Sequence, residues 1–531
     1  MQTTIKDTSK SRLHLYLVLF AIVVLAGFAT LFQLWEQDIN WQIKAGSEIL
    51  KSFTLQKTEH WSYTVNGTPW FNFQWLATVI IAAVYQFSKI EGLIFFRALL
   101  LVSLLGLLLA TIKKYTRDHF LTVSILFLPF FYSAIVPRIQ MRPEFFVIVM
   151  NALLILIWQL DKSVRFKIGL SSLIILISTN IHPGVVPFLL LNVAAFLFQL
   201  PLTTKQKAGY FFLVTLCFFI TPYASGLPSF LLRHLNYEAN TFMPNPEYFP
   251  LSLEDFRLVD NSLFAWSWLV LTAVFFIGWF QKKSRDLFTL IVFIFLTLLC
   301  FKAPRAIPFA LLFGFPTIIS ALTNFSQKTF IQKHHYAVLI FCIFWEVLQI
   351  QTTPSPLGLT VYNEELPQTT LQFIKTHHPQ GNILHAPFYG DFLLKELPDY
   401  PVFFDSREIP YDSLQMDIRA MFERPDRMMV VLQKYKVQTL LLPMNFIFSP
   451  PLVQGISRRE SFFNPAEWAV VAFDQFSMLL LKRIPEHQKL IAQFEYKYAL
   501  PDKSFNPNSE DVKRELMRCR QENPTLPFCQ Q

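Results

Sequence analysis

Charge is the first scarcity in this sequence. Only 16% of its 531 residues are Asp, Glu, Lys or Arg, while 53% are hydrophobic, and a soluble domain carries about 25% charged residues. That balance excludes an ordinary water-soluble enzyme and indicates a polytopic membrane protein. Glycine is scarce as well, at 15 residues, which argues against a bundle held by GxxxG contacts. The 57 phenylalanines and 33 prolines point instead to bulky, often interrupted helices. Of the five cysteines, Cys217, Cys300 and Cys342 lie inside apolar runs, where a packed or lipid-facing thiol is the expected state. Cys519 and Cys529 sit in a polar tail and form a disulfide only if that tail faces an oxidising compartment. No GxxxxGK[ST], CxxC, HExxH or GxSxG motif occurs, so ATPase, zinc-site and serine-hydrolase chemistries have no motif support. Internal repeats, low-complexity tracts and runs of acids along the spans are lacking too.

What is present is a series of apolar runs long enough to approach the roughly 30 Å of a bilayer core. They fall near 13–34, 92–112, 119–136, 143–160, 166–180, 184–200, 208–222, 262–280, 286–301, 304–322 and 336–350. The first follows a basic N-terminus, lacks a small-residue cleavage site and reads as a retained signal-anchor. The net charge of +9 is first a statement about topology, and nucleic acid is a poor second explanation. Basic clusters recur at Lys6/Lys10/Arg12, Lys113/Lys114/Arg117, Lys162/Arg165/Lys167, Lys205/Lys207, Lys282/Lys283/Arg285 and Lys328/Lys333. All of them fall on the cytoplasmic side if the 13-residue apolar run 75–87 lies along the membrane surface instead of crossing it. This gives about eleven spans, a cytoplasmic N-terminus and an extracytoplasmic C-terminus.

The expected organisation is a membrane domain over 1–351 with a first outer loop at 35–91, and a linker at 352–360. An extracytoplasmic α/β domain follows at 361–485, then a polar, proline-rich tail at 486–531 open to partial disorder. Strand-length apolar runs occur at 382–386, 401–406, 437–443, 468–473 and 477–483, and a helix-like stretch at 412–435 is broken at Pro425.

The first outer loop contains WEQDINWQIKAGSEILKSFTLQKTEHWSYTVNGTPWFNFQWL, which sets Glu36, Asp38, Glu59 and Gln74 among five tryptophans. Carboxylates at a membrane edge are costly to desolvate and invite a functional reading. Asp38 can act as a general base, and on an extended backbone Glu36 points to the same side, so the two can also share a divalent cation such as Mg or Mn. Ordinary interfacial carboxylates in water are the plain alternative. The other outer connections carry Arg138, Arg142, His182 and Arg305. These are cations on the side the positive-inside bias disfavours, suited to an anionic headgroup or lipid-linked phosphate. Pairing with Glu144 or Glu247 is the structural alternative, and a helix-terminal histidine such as His182 is commonly structural. Trp41, Trp70, Asn72 and Gln74 offer aromatic faces and amides to a sugar, although interface tryptophans need none. Asp405, Arg407 and Tyr411 follow a strand-like run, where a structural Asp–Arg pair is the simpler account.

The stretches QDINWQIKAGSEIL and SYTVNGTPWFNFQWL resemble the first outer loop of bacterial GT-C-like glycosyltransferases. Glu36, Asp38, Trp41, Gly46, Ser62, Thr64, Gly67, Trp70, Trp75 and Leu76 match the pattern. RPE at 142–144, TPYASG, RAIPF, YGDFLLKELP and VFFDSR with Tyr411 extend it along most of the chain. Gln42 stands where the group has His, Glu59 where it has Asp, and Phe73 where a polar residue is common. The resemblance implies a first-loop acid as base, with Glu36 and Glu59 assisting, a polyprenyl-phosphate sugar donor, and transfer to a glycan, lipid or protein acceptor outside a bacterial inner membrane. A non-catalytic protein that binds lipid-linked glycan in an envelope assembly or export complex is the competing expectation. A transporter ranks third, for want of inverted repeats and mid-span charges.

Overall fold

The computed structural model describes residues 2–34, 36, 38–235, 249–256, 263–282, 286–327, 335–351, 356–360, 366–407, 409–449 and 456–530. Glu247, Lys283, Arg285, Lys328, Lys333 and the first part of the linker, 352–355, lie outside the described residues.

Each of the eleven apolar runs is helical. They form α1 (Gln2–Ala29), α3 (Trp75–Thr116), α4 (Phe120–Ile135), α5 (Pro143–Trp158), α6 (Val164–Ile181), α7 (Val186–Gln199), α8 (Thr204–Leu216), α10 (Leu263–Gln281), α11 (Leu287–Lys302), α12 (Ile307–Ser326) and α13 (His335–Gln351). Two further helices, α2 (Asp38–Ser52) and α9 (Leu227–Leu235), lie in the connections. Among the described residues, five helices are both long and apolar enough to cross a bilayer, and a sixth is counted if α8 and α9, bent by 106°, form one broken span. That falls short of the expected eleven. The shorter apolar helices have 10–17 residues and reach at most about 25 Å at 1.5 Å per residue. Proline sets where several of them begin: Pro143 opens α5, Pro183 the turn before α7 and Pro304 the turn before α12.

The surface helix expected at 75–87 and the span after it are fused in α3. Its 42 residues are interrupted at Lys89, where φ is 51° and ψ −148°. A straight helix of that length covers about 63 Å, twice the hydrocarbon thickness. The break at Lys89 lies two residues past the expected end of the surface helix.

Beyond the bundle, four strands form one mixed sheet in the order β1-β2-β4-β3: β1 (Asn382–His385), β2 (Val437–Pro443), β3 (Trp468–Phe473) and β4 (Ser477–Lys482). β1 and β2 run parallel, and β4 is antiparallel to both β2 and β3. The strands read as continuous apolar runs because both faces are covered. Alternate residues such as Leu440 and Leu480 enter one core while Leu441 and Leu479 enter the other. Both cores also take residues of the first loop: Val65 joins the first, and Trp41, Ala45, Trp61 and Trp70 join the second. Loop and sheet thus fold as one packed body.

Helices α14 (Gln368–His377), α15 (Gly390–Glu396), α16 (Gln415–Glu423) and α17 (Pro425–Lys434) surround the sheet, with Pro425 opening α17 as its first residue. The strand expected at 401–406 does not form. Its backbone bonds to the first loop instead, Val402 N–H to Trp61 O at 2.9 Å and Tyr63 N–H to Val402 O at 3.2 Å, leaving a strap between loop and sheet. The tail is ordered, contrary to expectation. It contains α18 (Gln488–Phe494) and α19 (Glu510–Glu522), joins Cys519 to Cys529 in a disulfide and buries both in the sheet's core.

Candidate active site

Asp38 is the first residue of α2, where a carboxylate complements the positive end of the helix. Gly46 lies two turns along the same helix. A Cβ there would come within 1.9 Å of Thr78 O, so α2 presses directly on the backbone of α3. That contact fixes the base of the site.

Pro143 holds Arg142 in the extended region (φ −121°, ψ 153°), so α5 starts abruptly and the Arg142 side chain leaves from its N-terminal end. One of its guanidinium nitrogens lies 3.7 Å from Asp38 Oδ2, with both side chains partly open to solvent. Glu144, in the first turn of α5, receives Arg305 Nη2 at 3.1 Å and Arg138 Nη1 at 4.0 Å. Three guanidiniums from two expected outer connections, Arg138 and Arg142 from one and Arg305 from another, thus gather with Asp38 and Glu144 at one end of the bundle. His182 is buried at the C-terminal end of α6, its N–H bonded to Ser178 O, and these ion pairs do not include it.

The other two predicted acids are placed differently. Glu36 is sealed from solvent, 3.8 Å from Arg97, and accepts the Met141 N–H at 3.0 Å. Arg97 in turn donates to Thr30 O and Phe32 O and covers the Phe32 ring. Glu36 therefore ties α1, α3 and the loop before Arg142 together, and a catalytic role for it is not supported. Nor does it form a cation site with Asp38, because its carboxylate is engaged by Arg97 and Met141. Among the described residues no group of three or more His, Cys, Asp or Glu is placed to hold a metal ion. Of the two acids expected to share Mg or Mn, only Asp38 is open to solvent.

Glu59 is also wholly buried. Its Oε1 accepts N–H groups of Trp61 and Ser62 at 2.6 and 2.8 Å, and its Oε2 lies 2.6 Å from Arg407 Nη1. Arg407 holds Asp405 through two bonds of 2.7 and 2.6 Å, and the Tyr411 hydroxyl donates to the same carboxylate at 2.7 Å. The magnitudes separate the two kinds of acid. Breaking a buried pair such as Glu59–Arg407 costs about 3–5 kcal/mol, whereas a part-exposed pair at 3.7 Å is worth roughly 0–1 kcal/mol. Of these acids, Asp38 is the one held by a weak pair that is partly open to solvent.

The predicted sugar platform is used for packing. Trp41 and Trp70 are buried against each other, and Arg407 stacks over Trp70 at 4.5 Å and Trp61 at 4.0 Å. Asn72 is buried and donates to Thr78 at 3.4 Å. Gln74 accepts the Thr78 N–H through its backbone carbonyl, immediately before α3. A sugar-binding role is thus not supported for Trp41, Trp70 or Asn72.

Residues that sequence reasoning left without a role lie next to Asp38. Ser406, on the strap, donates its hydroxyl to Asp38 Oδ1 at 2.7 Å. Its N–H bonds to Asp391 Oδ1 at 3.2 Å. Asp391 is fully buried, and burial, followed by the nearby Asp405 and Asp38 carboxylates, raises its pKa well above the ordinary value. The signal was in the sequence, since both residues sit in the stretches YGDFLLKELP and VFFDSR. Gln42, one turn after Asp38, is buried as well, and among the described residues its Oε1 has no hydrogen-bond partner.

The arrangement belongs to a known class of membrane fold. No protein-family model matches the sequence, and no curated protein matches it by sequence. Solved structures do share its fold. The oligosaccharyltransferase AglB of Archaeoglobus fulgidus, in complex with an inhibitory peptide and a dolichol-phosphate, aligns with a TM-score of 0.51 at 11% identity over 80% of this chain and 69% of that one. ArnT of Cupriavidus metallidurans bound to undecaprenyl phosphate gives 0.52 at 10% identity over 89% and 98%. Arabinofuranosyltransferase AftD from Mycobacteria gives 0.54 at 12% identity over 90% of this chain and 40% of that one. The protein has a GT-C-like fold, carried by an α-helical membrane bundle with an α/β region after it.

Proposed function

We propose that this protein is a membrane glycosyltransferase that moves a sugar from a polyprenyl-phosphate donor to an acceptor hydroxyl on the extracytoplasmic face of a bacterial inner membrane. The observation that carries the reading is the facing of Asp38 and Arg142 at 3.7 Å, beside Arg138 and Arg305, in a partly open setting. The undecaprenyl phosphate in ArnT and the dolichol-phosphate in AglB agree with a lipid-linked donor for this fold. In the reaction, the acceptor oxygen bonds to the anomeric carbon as the carbon–oxygen bond to phosphate breaks. The electron pair leaves with the polyprenyl phosphate, and Asp38 takes the acceptor proton. Arg142 and Arg305 stabilise the phosphate as its charge grows, which is where binding accelerates the step. No nucleotide site is required, because the phosphate ester already activates the sugar.

The test is release of polyprenyl phosphate from radiolabelled polyprenyl-phosphate sugars by the purified protein in nanodiscs, with candidate glycan, lipid and peptide acceptors. Release that depends on an acceptor supports the transferase. Donor binding without release under every acceptor supports instead a non-catalytic role in an envelope assembly or export complex.

A further inference from the structure

Asp38 has one partner in the membrane bundle and one outside it. The second is the Ser406 hydroxyl, at 2.7 Å, on a strap that belongs to the C-terminal region by sequence. Ser406 is exposed, and its direction is set from below: its N–H is held by Asp391 Oδ1 at 3.2 Å. Asp391 is 0% exposed, and among the described residues its Oδ2 has no hydrogen-bond partner. A carboxyl sealed in this way carries a large penalty for ionisation unless it is paired. Gly390 fixes the contact from the other side. A Cβ at this position would lie 2.1 Å from Phe404 O and 2.9 Å from Asp405 Cα, so only glycine lets the start of α15 lie against the strap. Helix α15 also packs on α2, and Lys44 of α2 donates to Leu394 O at 3.5 Å.

These contacts form a continuous line from Gly390 and Asp391 through Ser406 to Asp38. We infer that Ser406 and Asp391 are positioning residues for Asp38, so that the C-terminal region completes the candidate active site by orienting the base carboxylate. The inference deepens the glycosyltransferase reading and rests on it only for the statement that Asp38 acts as a base. A hydroxyl that donates to a carboxylate favours its charged form, and here the same bond to Oδ1 leaves Oδ2 facing Arg142. Asp391 serves this end best as a neutral acid. Its burial, with Asp405 and Asp38 nearby, raises its pKa, and an anion there would oppose the charge on Asp38. The charged groups that the packed elements bring to this line are Asp38 and Lys44 from α2, Arg142 from the start of α5, and Asp405 and Arg407 from the strap.

The test uses the full chain in nanodiscs and reads Asp38 without reference to turnover. Carbodiimide couples only to protonated carboxyls, so the pH dependence of Asp38 labelling, followed by peptide mass spectrometry, gives its titration midpoint. Ser406→Ala is expected to raise that midpoint by about one pH unit, and Asp391→Ala to raise it in the same direction. Asp391→Asn, which keeps a neutral acceptor for the Ser406 N–H, is expected to restore the wild-type midpoint. A wild-type midpoint in Ser406→Ala, with an unchanged thermal melt, overturns the inference. Because Ser406 is exposed, that variant carries the test even where Asp391→Ala fails to fold. If the midpoint shifts as expected while Asp38→Asn turns over donor like wild type, the assignment of Asp38 as the base fails and the positioning relationship stands.

Discussion

Arg407 Nη1 lies 2.6 Å from Glu59 Oε2, with both side chains shut off from solvent, and so bonds the first loop to the strap of the C-terminal region. Glu59 and Asp38 are therefore placed differently: Glu59 is sealed inside the packed body, while Asp38 stays partly open to solvent. Glu59→Gln should lower unfolding stability by about 3–5 kcal/mol because it leaves a buried guanidinium short of charge. Thermal melts in detergent check this, and Asp38→Asn should melt within about 1 kcal/mol of wild type.

Helix α2 carries Asp38 and lies against α3 through Gly46. Gly46→Ala should cost about 1–3 kcal/mol by overpacking and reduce turnover as well, since any relief moves the helix that bears the base. Gly67 has φ +82° and a Cβ there meets nothing within 4 Å, so Gly67→Ala should act through backbone strain and cost roughly 1–2 kcal/mol. Comparing the two by melt and by turnover separates a displaced base from a strained turn.

Arg142 and Arg305 belong to the same cluster with different partners, Asp38 and Glu144. Replacing either by Gln should weaken binding of polyprenyl phosphate by about ten- to a hundredfold, as a lost charge-assisted contact of roughly 1.5–3 kcal/mol implies. Lysine should restore little at Arg142 if its fork is needed. Titration of polyprenyl phosphate into nanodisc-held protein measures the effect.

Two buried groups near β1 and α15 give opposite pH dependences. Burial lowers the pKa of His385 to about 4, and its Nε2 accepts the Phe403 N–H, so the folded state holds it neutral. Its contribution to stability is complete above its ordinary value of 6.5 and is lost as pH falls toward 4. Asp391 has a raised pKa, so its contribution is complete below the ordinary 3.8 and is lost as pH rises. Asp391→Asn should therefore gain on wild type in melting temperature as pH is raised from 4 to 7. His385→Gln should flatten the loss between pH 6.5 and 4.

Much of the architecture was legible because membrane and sheet leave strong periodic signals. The apolar runs all became helices, and four of the five strand-length runs became strands. The fifth, 401–406, failed because its backbone partners are in the first loop, and apolar content alone does not say which edge a segment pairs with. The site was half legible. Asp38, Arg142 and Arg305 stand out in the sequence as charges at a membrane edge, and the structure pairs Asp38 with Arg142 and Arg305 with Glu144. Glu36 and Glu59 stand out in the same way, yet their partners, Arg97 and Arg407, lie far along the chain, and spacing cannot reveal them. The tryptophans marked a core shared by loop and sheet as readily as they would mark a sugar platform.

The measurement that bears most directly on the account is acceptor-dependent release of polyprenyl phosphate by wild type and Asp38→Asn, side by side in nanodiscs at pH 7, with melts confirming that both are folded. A general base is worth about 10²–10⁴ in rate, so the account predicts a fall of at least a hundredfold in kcat with donor affinity largely kept. Equal turnover by the two proteins would contradict it.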